Sequence, residues 1–196
     1  SIVLSGGYFI GRKKNNKIAS SALQTLNKLI NPVDQNITNI GGVVGYHVEM
    51  DFNPDSNIKN LIGTITLLPR HSLLYLPVSK IFRKFDRFYI KVEVKEIVET
   101  GEIHFIESKF LRKHRGKLNN SKEFNRHGVE YNGTRFIYLY KKGGGLKSLT
   151  QLVTKTENKR SIKEISINPE GEVEILFIPC KHGNKKILEP IIAWLQ

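Results

Sequence analysis

The fold class is decided by residues 87–99, RFYIKVEVKEIVE, in which apolar and polar side chains alternate through the first eight positions. Phe88, Ile90, Val92 and Val94 fall on one face of an extended chain, and the other face is mostly charged. A period of two, carried by β-branched and aromatic residues, predicts a strand of an antiparallel sheet with one buried face.

The same β pattern recurs along most of the chain. Asn132-Gly133 lies inside VEYNGTRFIYLY and predicts a hairpin between two strands. Further strands are predicted in NIGGVVGYHVEMDF (39–52), LIGTITLL (61–68), TGEIHFIE (100–107), LKSLTQLVT (146–154), IKEISI (162–167) and VEILFIP (173–179). Many short strands favour a mainly β fold of antiparallel β-barrels, with a single β-sandwich as the alternative.

The N-terminal region departs from this pattern. Residues 17–32, KIASSALQTLNKLINP, repeat apolar side chains near the helical period and end at Pro32, which predicts one short helix. Residues 1–16, SIVLSGGYFIGRKKNN, are predicted to be a short β-prone segment that becomes polar and basic.

Positive charge dominates the composition. The chain has 31 Lys and Arg against 18 Asp and Glu, a formal net charge of +13, which indicates a polyanionic partner such as nucleic acid or an anionic membrane. Residues 108–128 are rich in these cations and have no clear period, so we expect a basic linker there. It would join a first unit, residues 1–107 (helix and first barrel), to a second, smaller β unit, residues 129–196. RNA phosphates are expected to bind Lys109, Arg112, Lys113, Arg115 and Lys117.

Several classes of site are not indicated by the sequence. The single cysteine, Cys180, excludes an internal disulfide and a cysteine-based zinc site. No metal-ligand spacing appears, so neither a metal nor another cofactor is expected.

No apolar run is long enough to span a bilayer, and together with the lone cysteine this predicts an intracellular protein. His104 alternates with apolar residues and is expected to face solvent.

The segments QNITNIGG (35–42), GYHVEM (45–50) and LIGTITLLPRHSLL (61–74) resemble the first barrel of picornavirus-type 3C-like cysteine proteases, which have a chymotrypsin-like fold of two barrels. The resemblance implies that His71 is the general base and that Glu102 orients its imidazole, with Asp86 as the alternative acid. It also implies an RNA-binding linker. The chain begins with Ser1 and ends WLQ. Such ends are expected of a piece cut from a viral polyprotein at Gln-Ser junctions. A viral protein of this kind is expected in the host cytoplasm.

The nucleophile of such a protease has two possible positions. The family's Gly-x-Cys-Gly motif, whose backbone amides form the oxyanion hole, does not occur. Cys180, in LFIPCKHGN, is the only cysteine and therefore the only candidate thiol. Alternatively, Gly143–Gly145 in KKGGGLKS mark the place of a lost nucleophile, and the protein is an inactive relative.

Two main functions remain open on these grounds. The first is a viral polyprotein-processing cysteine protease, intact or impaired, that also binds RNA and cuts after glutamine. The second is a non-enzymatic, basic, RNA-binding viral protein of the capsid, matrix or silencing-suppressor kind. A nuclease ranks last because the carboxylates are scattered along the sequence.

Overall fold

In the computed structural model, residues 2–82, 85–96, 101–113, 123–141 and 146–196 are described, with the backbone alone for residues 2–5 and 113. The helices are α1 (Ile2–Ile30), α2 (Tyr75–Phe82), α3 (Ser108–Lys113), α4 (Leu146–Lys155) and α5 (Lys185–Leu195). The strands are β1 (Asp34–Asn39), β2 (Gly45–Asp51), β3 (Ile58–Thr66), β4 (Arg87–Val94), β5 (Ile103–Glu107), β6 (Asn125–Tyr131), β7 (Thr134–Tyr140), β8 (Ile162–Ile167) and β9 (Glu172–Phe177).

All nine strands join one antiparallel sheet in the order β1-β2-β3-β4-β9-β8-β5-β7-β6. The prediction of a mainly β fold is therefore confirmed. The two-barrel arrangement is wrong, because the sheet does not close on itself and has β1 and β6 at its edges. The alternative of a sandwich is also wrong, since the described strands form one sheet and not two. Strands from both sides of residues 108–128 belong to it, with β4 paired to β9 and β5 paired to β8.

The main core lies between one face of this sheet and the helices α1, α4 and α5. As the alternation predicts, Phe88, Ile90, Val92 and Val94 of β4 are all buried in it. On the helical side, α5 contributes Ile187, Leu188, Ile191, Ile192 and Leu195 to the core. We call this the inner face of the sheet, and the opposite side the outer face.

The predicted hairpin between β6 and β7 is confirmed. Asn132 and Gly133 connect the strands with φ values of 50° and 73°. Positive φ at both central residues matches the right-handed twist of the flanking strands, and Asn and Gly adopt it at little cost.

Two segments predicted as strands are helical. Residues 2–16 belong to α1, which makes one 29-residue helix with the segment that was predicted helical. Residues 146–154 lie in α4, where Leu149, Leu152 and Val153 face the core. In residues 146–154, apolar residues three or four apart are buried, and this packing outweighs the β preference of individual residues. Residues 6–16 bury Gly11 and Asn15 instead.

A buried polar network fixes the position of α1. The Asn15 side chain donates to the Leu68 carbonyl at 2.9 Å and accepts a hydrogen bond from Arg70 at 2.9 Å. Arg70 in turn holds Asp86 with two hydrogen bonds of 2.9 and 2.6 Å. One turn earlier, Gly11 lies against the Arg70 backbone so closely that a Cβ would come within 2.1 Å of its carbonyl oxygen. The rotation of α1 about its axis is thereby set.

Candidate functional site

A line of cations and amides runs along the exposed side of α1. Lys13, Lys17, Ser20, Gln24 and Lys28 are three or four residues apart, so they share one helix face, and all five are exposed. We call them the α1 strip. Fifteen residues of rise make the strip about 22 Å long. The opposite side of the helix carries Ile18, Ala22 and Leu26 into the core, which turns the strip outward.

The positive charge of α1 is not neutralised within the described part of the chain. Residues 2–30 contain no Asp or Glu. Arg12 and Lys14 flank the three lysines of the strip, and none of these five cations pairs with a carboxylate among the described residues. Charge that a protein leaves unpaired along one line attracts polyanions.

A loop between β9 and α5 extends the strip sideways. Lys181 and His182 line a groove of about 370 Å³ together with Lys17, Ser20, Ser21, Gln24, Thr25 and Lys28. Asn184 holds the loop, since its amide donates to the Cys180 carbonyl at 2.7 Å and to the Ser21 hydroxyl at 3.2 Å. The groove therefore combines hydroxyl groups and cations on a fixed backbone.

Exposed rings lie at the N-terminal end of the strip. Phe9 is 65% exposed and borders a second groove with Arg12, Lys13, Asn16, Lys17 and Ser20. Tyr8 packs edge-to-face against Phe9 with the ring centroids 5.5 Å apart. Aromatic rings beside cations are the usual means of holding single-stranded nucleic acid, because bases stack on the rings while the cations bind phosphates.

The predicted protease residues have other partners. His71 contacts the Tyr8 ring, and its buried Nδ1 has no hydrogen-bond partner. The Cys180 thiol donates to the His182 carbonyl at 2.7 Å, and burial raises the pKa of this thiol. Glu102 lies on the outer face of the sheet and bonds His104. No hydrogen bond joins any two of His71, Glu102 and Cys180, so the structure does not assemble them as a Cys–His–Glu triad.

The predicted RNA-binding residues are described only in part. Lys109 and Arg112 are exposed on α3, where residues 108–113 form a helix in place of the expected loop. The backbone alone of Lys113 is described, and Arg115, Lys117 and Gly143–Gly145 lie outside the described residues.

The outer face holds a second site, a pocket of about 750 Å³ over the middle of the sheet. His104 lies on its floor and is only 7% exposed, so the expectation that it faces solvent is wrong. The reason is α3, whose Phe110 packs with Ile106 and Leu139 over this part of the sheet. Alternation along β5 correctly puts His104 opposite the main core, but a second layer covers that face as well.

The structure places the Glu102 carboxylate against the imidazole of His104 and not against that of His71. Its Oε1 lies 3.1 Å from His104 Nε2, and its Oε2 lies 2.8 Å from Lys141 Nζ. Burial alone would raise the pKa of Glu102, but the hydrogen bonds from Lys141 and His104 together outweigh it and lower the pKa. The glutamate is therefore held as a carboxylate that accepts a hydrogen bond from the ring.

The described residues contain no group of three or more His, Cys, Asp or Glu side chains that could hold a metal ion. No helix in the same part of the chain is both long and apolar enough to cross a membrane.

No protein-family model matches this sequence, and no curated protein matches it.

Proposed function

We propose that this protein binds single-stranded RNA along the α1 strip and the adjoining Lys181–His182 loop. The observation that carries the proposal is the run of unpaired cations on a 29-residue helix that has no acidic residue. Lysines that bind phosphates release condensed counterions, which is the main source of affinity for nucleic acids.

The residues between the lysines favour RNA over a membrane surface. Ser20 and Gln24 separate Lys17 from Lys28 and offer hydrogen bonds to phosphates, sugars or base edges. A helix that lies in a lipid interface has to insert an apolar face, whereas the apolar face of α1 from Ile18 to Ile30 is buried in the protein core.

Removal of the lysines of the strip tests the proposal. We expect the triple variant Lys13→Ala, Lys17→Ala, Lys28→Ala to bind oligouridine about tenfold or more weakly than the unchanged protein. The slope of log K against log salt should shrink by about 2, since each phosphate contact with a single strand contributes about 0.7. Fluorescence anisotropy at several salt concentrations measures both quantities.

A control variant separates position from net charge. Lys59, Lys147 and Lys155 are equally exposed and lie outside the strip. Their triple replacement by alanine removes the same charge and should leave most of the affinity and the slope in place. Equal losses in both triple variants would show that binding is spread over the surface and would refute the proposed site. A third variant, Lys109→Ala with Arg112→Ala, tests the part of the predicted linker strip that α3 carries.

Peptide cleavage after glutamine stays a prediction. It is tested with a peptide that joins AWLQ to SIVLS, using the unchanged protein and the Cys180→Ala and His71→Ala variants. Turnover that is lost in both variants would establish a Cys–His protease, and absence of turnover in all three proteins would leave RNA binding as the function.

A further inference from the structure

We propose that the pocket on the outer face of the sheet binds a small organic cation, an ammonium group carried on an apolar body. This site is separate from the α1 strip, and the inference does not depend on RNA binding.

The floor of the pocket is a line of polar side chains across three strands. The strand register makes Glu174 of β9 the neighbour of Ser166 of β8, and Ser166 the neighbour of His104 of β5. Neighbouring strands lie about 4.8 Å apart, so these three side chains stand side by side. Glu164, two residues before Ser166, points to the same face and reaches His104 from the next row.

In one of its tautomers, His104 has a ring nitrogen that needs a hydrogen-bond donor. Its Nε2 bonds Glu102, whereas its buried Nδ1 has no hydrogen-bond partner among the described residues and lies 3.7 Å from a carboxylate oxygen of Glu164. When the neutral ring donates Nε2–H to Glu102, Nδ1 carries a lone pair. Two acceptors then face each other across 3.7 Å. A group with several N–H donors satisfies both, and an ammonium has three.

The other charges near the pocket are largely matched, which leaves an acidic remainder. Lys141 neutralises Glu102, and Lys91 is engaged with Glu172 at 2.6 Å. Among the described residues, Glu164 and Glu174 have no Lys or Arg partner within salt-bridge distance. Glu174 instead lies close to the Tyr89 hydroxyl, whose pKa is raised by burial and by this carboxylate.

One cation does line the pocket, at its far end. The Arg87 guanidinium stacks on the Phe85 ring with its carbon 5.3 Å from the ring centroid. Arg87 lies two residues before Tyr89 on β4 and therefore on the same face of the sheet. Tyr89 pairs with Leu176, which is two residues from Glu174 on β9. Two unpaired carboxylates against one guanidinium leave the pocket acidic, which disfavours a phosphate and favours a cation.

An apolar wall completes the site. The apolar side of the pocket is lined by two residues of α3 and two of the sheet: Phe110, Leu111, Ile106 and Leu176. A volume of about 750 Å³ lies within the range of small-molecule sites, which pair an apolar wall with a few convergent polar groups. The wall suits the hydrocarbon or aromatic body of the ligand, and the floor suits its ammonium group.

Calorimetric titration with simple amines tests the proposal. The probes are 2-phenylethylamine, tryptamine and isoamylamine, and the uncharged control is 2-phenylethanol. We expect saturable binding of at least one amine at millimolar concentration or below, and binding of 2-phenylethanol that is tenfold weaker than that of 2-phenylethylamine or weaker still. Oligouridine should not displace the amine.

Matched variants locate the site. Glu164→Gln keeps the shape of the side chain and removes its charge, so it should weaken amine binding about tenfold. Glu170→Gln, in the exposed turn between β8 and β9, makes the same change outside the pocket and should have no effect. A thermal unfolding curve verifies that both variants fold. The proposal is overturned if no amine binds saturably, if the alcohol binds as well as 2-phenylethylamine, or if Glu164→Gln binds like the unchanged protein.

Discussion

The Asp86→Ala variant is expected to lose about 3–5 kcal/mol of unfolding free energy, because it leaves a partly buried guanidinium without its carboxylate. Asp86 is 5% exposed and binds Arg70 through both oxygens. It also accepts a hydrogen bond of 2.8 Å from the backbone N–H of Leu68. Removing the carboxylate therefore leaves the Arg70 guanidinium and the Leu68 N–H without their shared acceptor. The hydrogen bond from Arg70 to Asn15, which fixes α1, is weakened as well.

Urea denaturation measures this loss, and two further variants show its origin. Asp55 is exposed and lies outside the network, so Asp55→Ala should change the unfolding free energy by no more than about 0.5 kcal/mol. The double variant Asp86→Leu, Arg70→Met removes both charges and should be less destabilised than the sum of the single variants. A loss below about 1 kcal/mol in Asp86→Ala would show that the network does not hold α1 in place.

The second large effect is expected at the junction of β4 and β9. Phe177 is fully buried and lies directly opposite Phe88, with the ring centroids 5.3 Å apart. The pair joins strands that lie far apart in the sequence, on either side of the basic segment. Phe177→Ala should lower the unfolding free energy by about 3–5 kcal/mol, since it removes apolar contact and leaves a cavity.

The shape of the transition is as informative as its midpoint. Because β4 and β9 are central strands of one sheet, Phe177→Ala should shift the whole unfolding transition and keep it cooperative, as followed by both circular dichroism and tryptophan fluorescence. Phe9→Ala, the same substitution at an exposed ring, should leave the midpoint nearly unchanged. A variant that unfolds in two separate steps would mean that the two halves of the sheet are independent units.

Local patterns in the sequence predict most of the strands of this fold, although β1 was not among the predicted strands. The alternation from Phe88 to Val94 and the Asn132-Gly133 turn act over a few residues, and both lead to the right element. The spacing of Leu149, Leu152 and Val153 also carries a helical signal, but the short apolar run LKSLTQLVT fits a strand equally well. In α5 the apolar residues also keep a helical spacing, but Pro190 lies inside the run and by itself disfavours a helix.

The arrangement of the strands could not be predicted in the same way. The pairing of Phe88 with Phe177 depends on the collapse of the whole chain, and no short pattern encodes it. Residues 2–16 continue the helix of residues 17–30 and are held by contacts distant in sequence, since Asn15 bonds the Leu68 carbonyl and Gly11 permits the close approach to Arg70. The side chains of SIVLSGGYFIG themselves give a β signal.

The candidate sites show the same division. The net charge predicted a surface that binds polyanions. The lysines of the α1 strip, however, lie on one line only because the helix continues unbroken through Lys13 and Lys17. Glu102 was expected to orient His71, whereas the structure places it against His104. His104 was missed as its partner, because the cover that α3 provides comes from packing and not from the alternation of β5.

The central claim is that RNA lies along the α1 strip, and lysine footprinting tests it most directly. The protein is acetylated under limiting conditions with and without saturating oligouridine, and the modification of each lysine is measured by mass spectrometry. We predict strong protection of Lys13, Lys17, Lys28 and Lys181, with little change at the exposed Lys59 and Lys147. Protection that is uniform over the surface, or that appears at Lys109 and not on α1, would contradict the account.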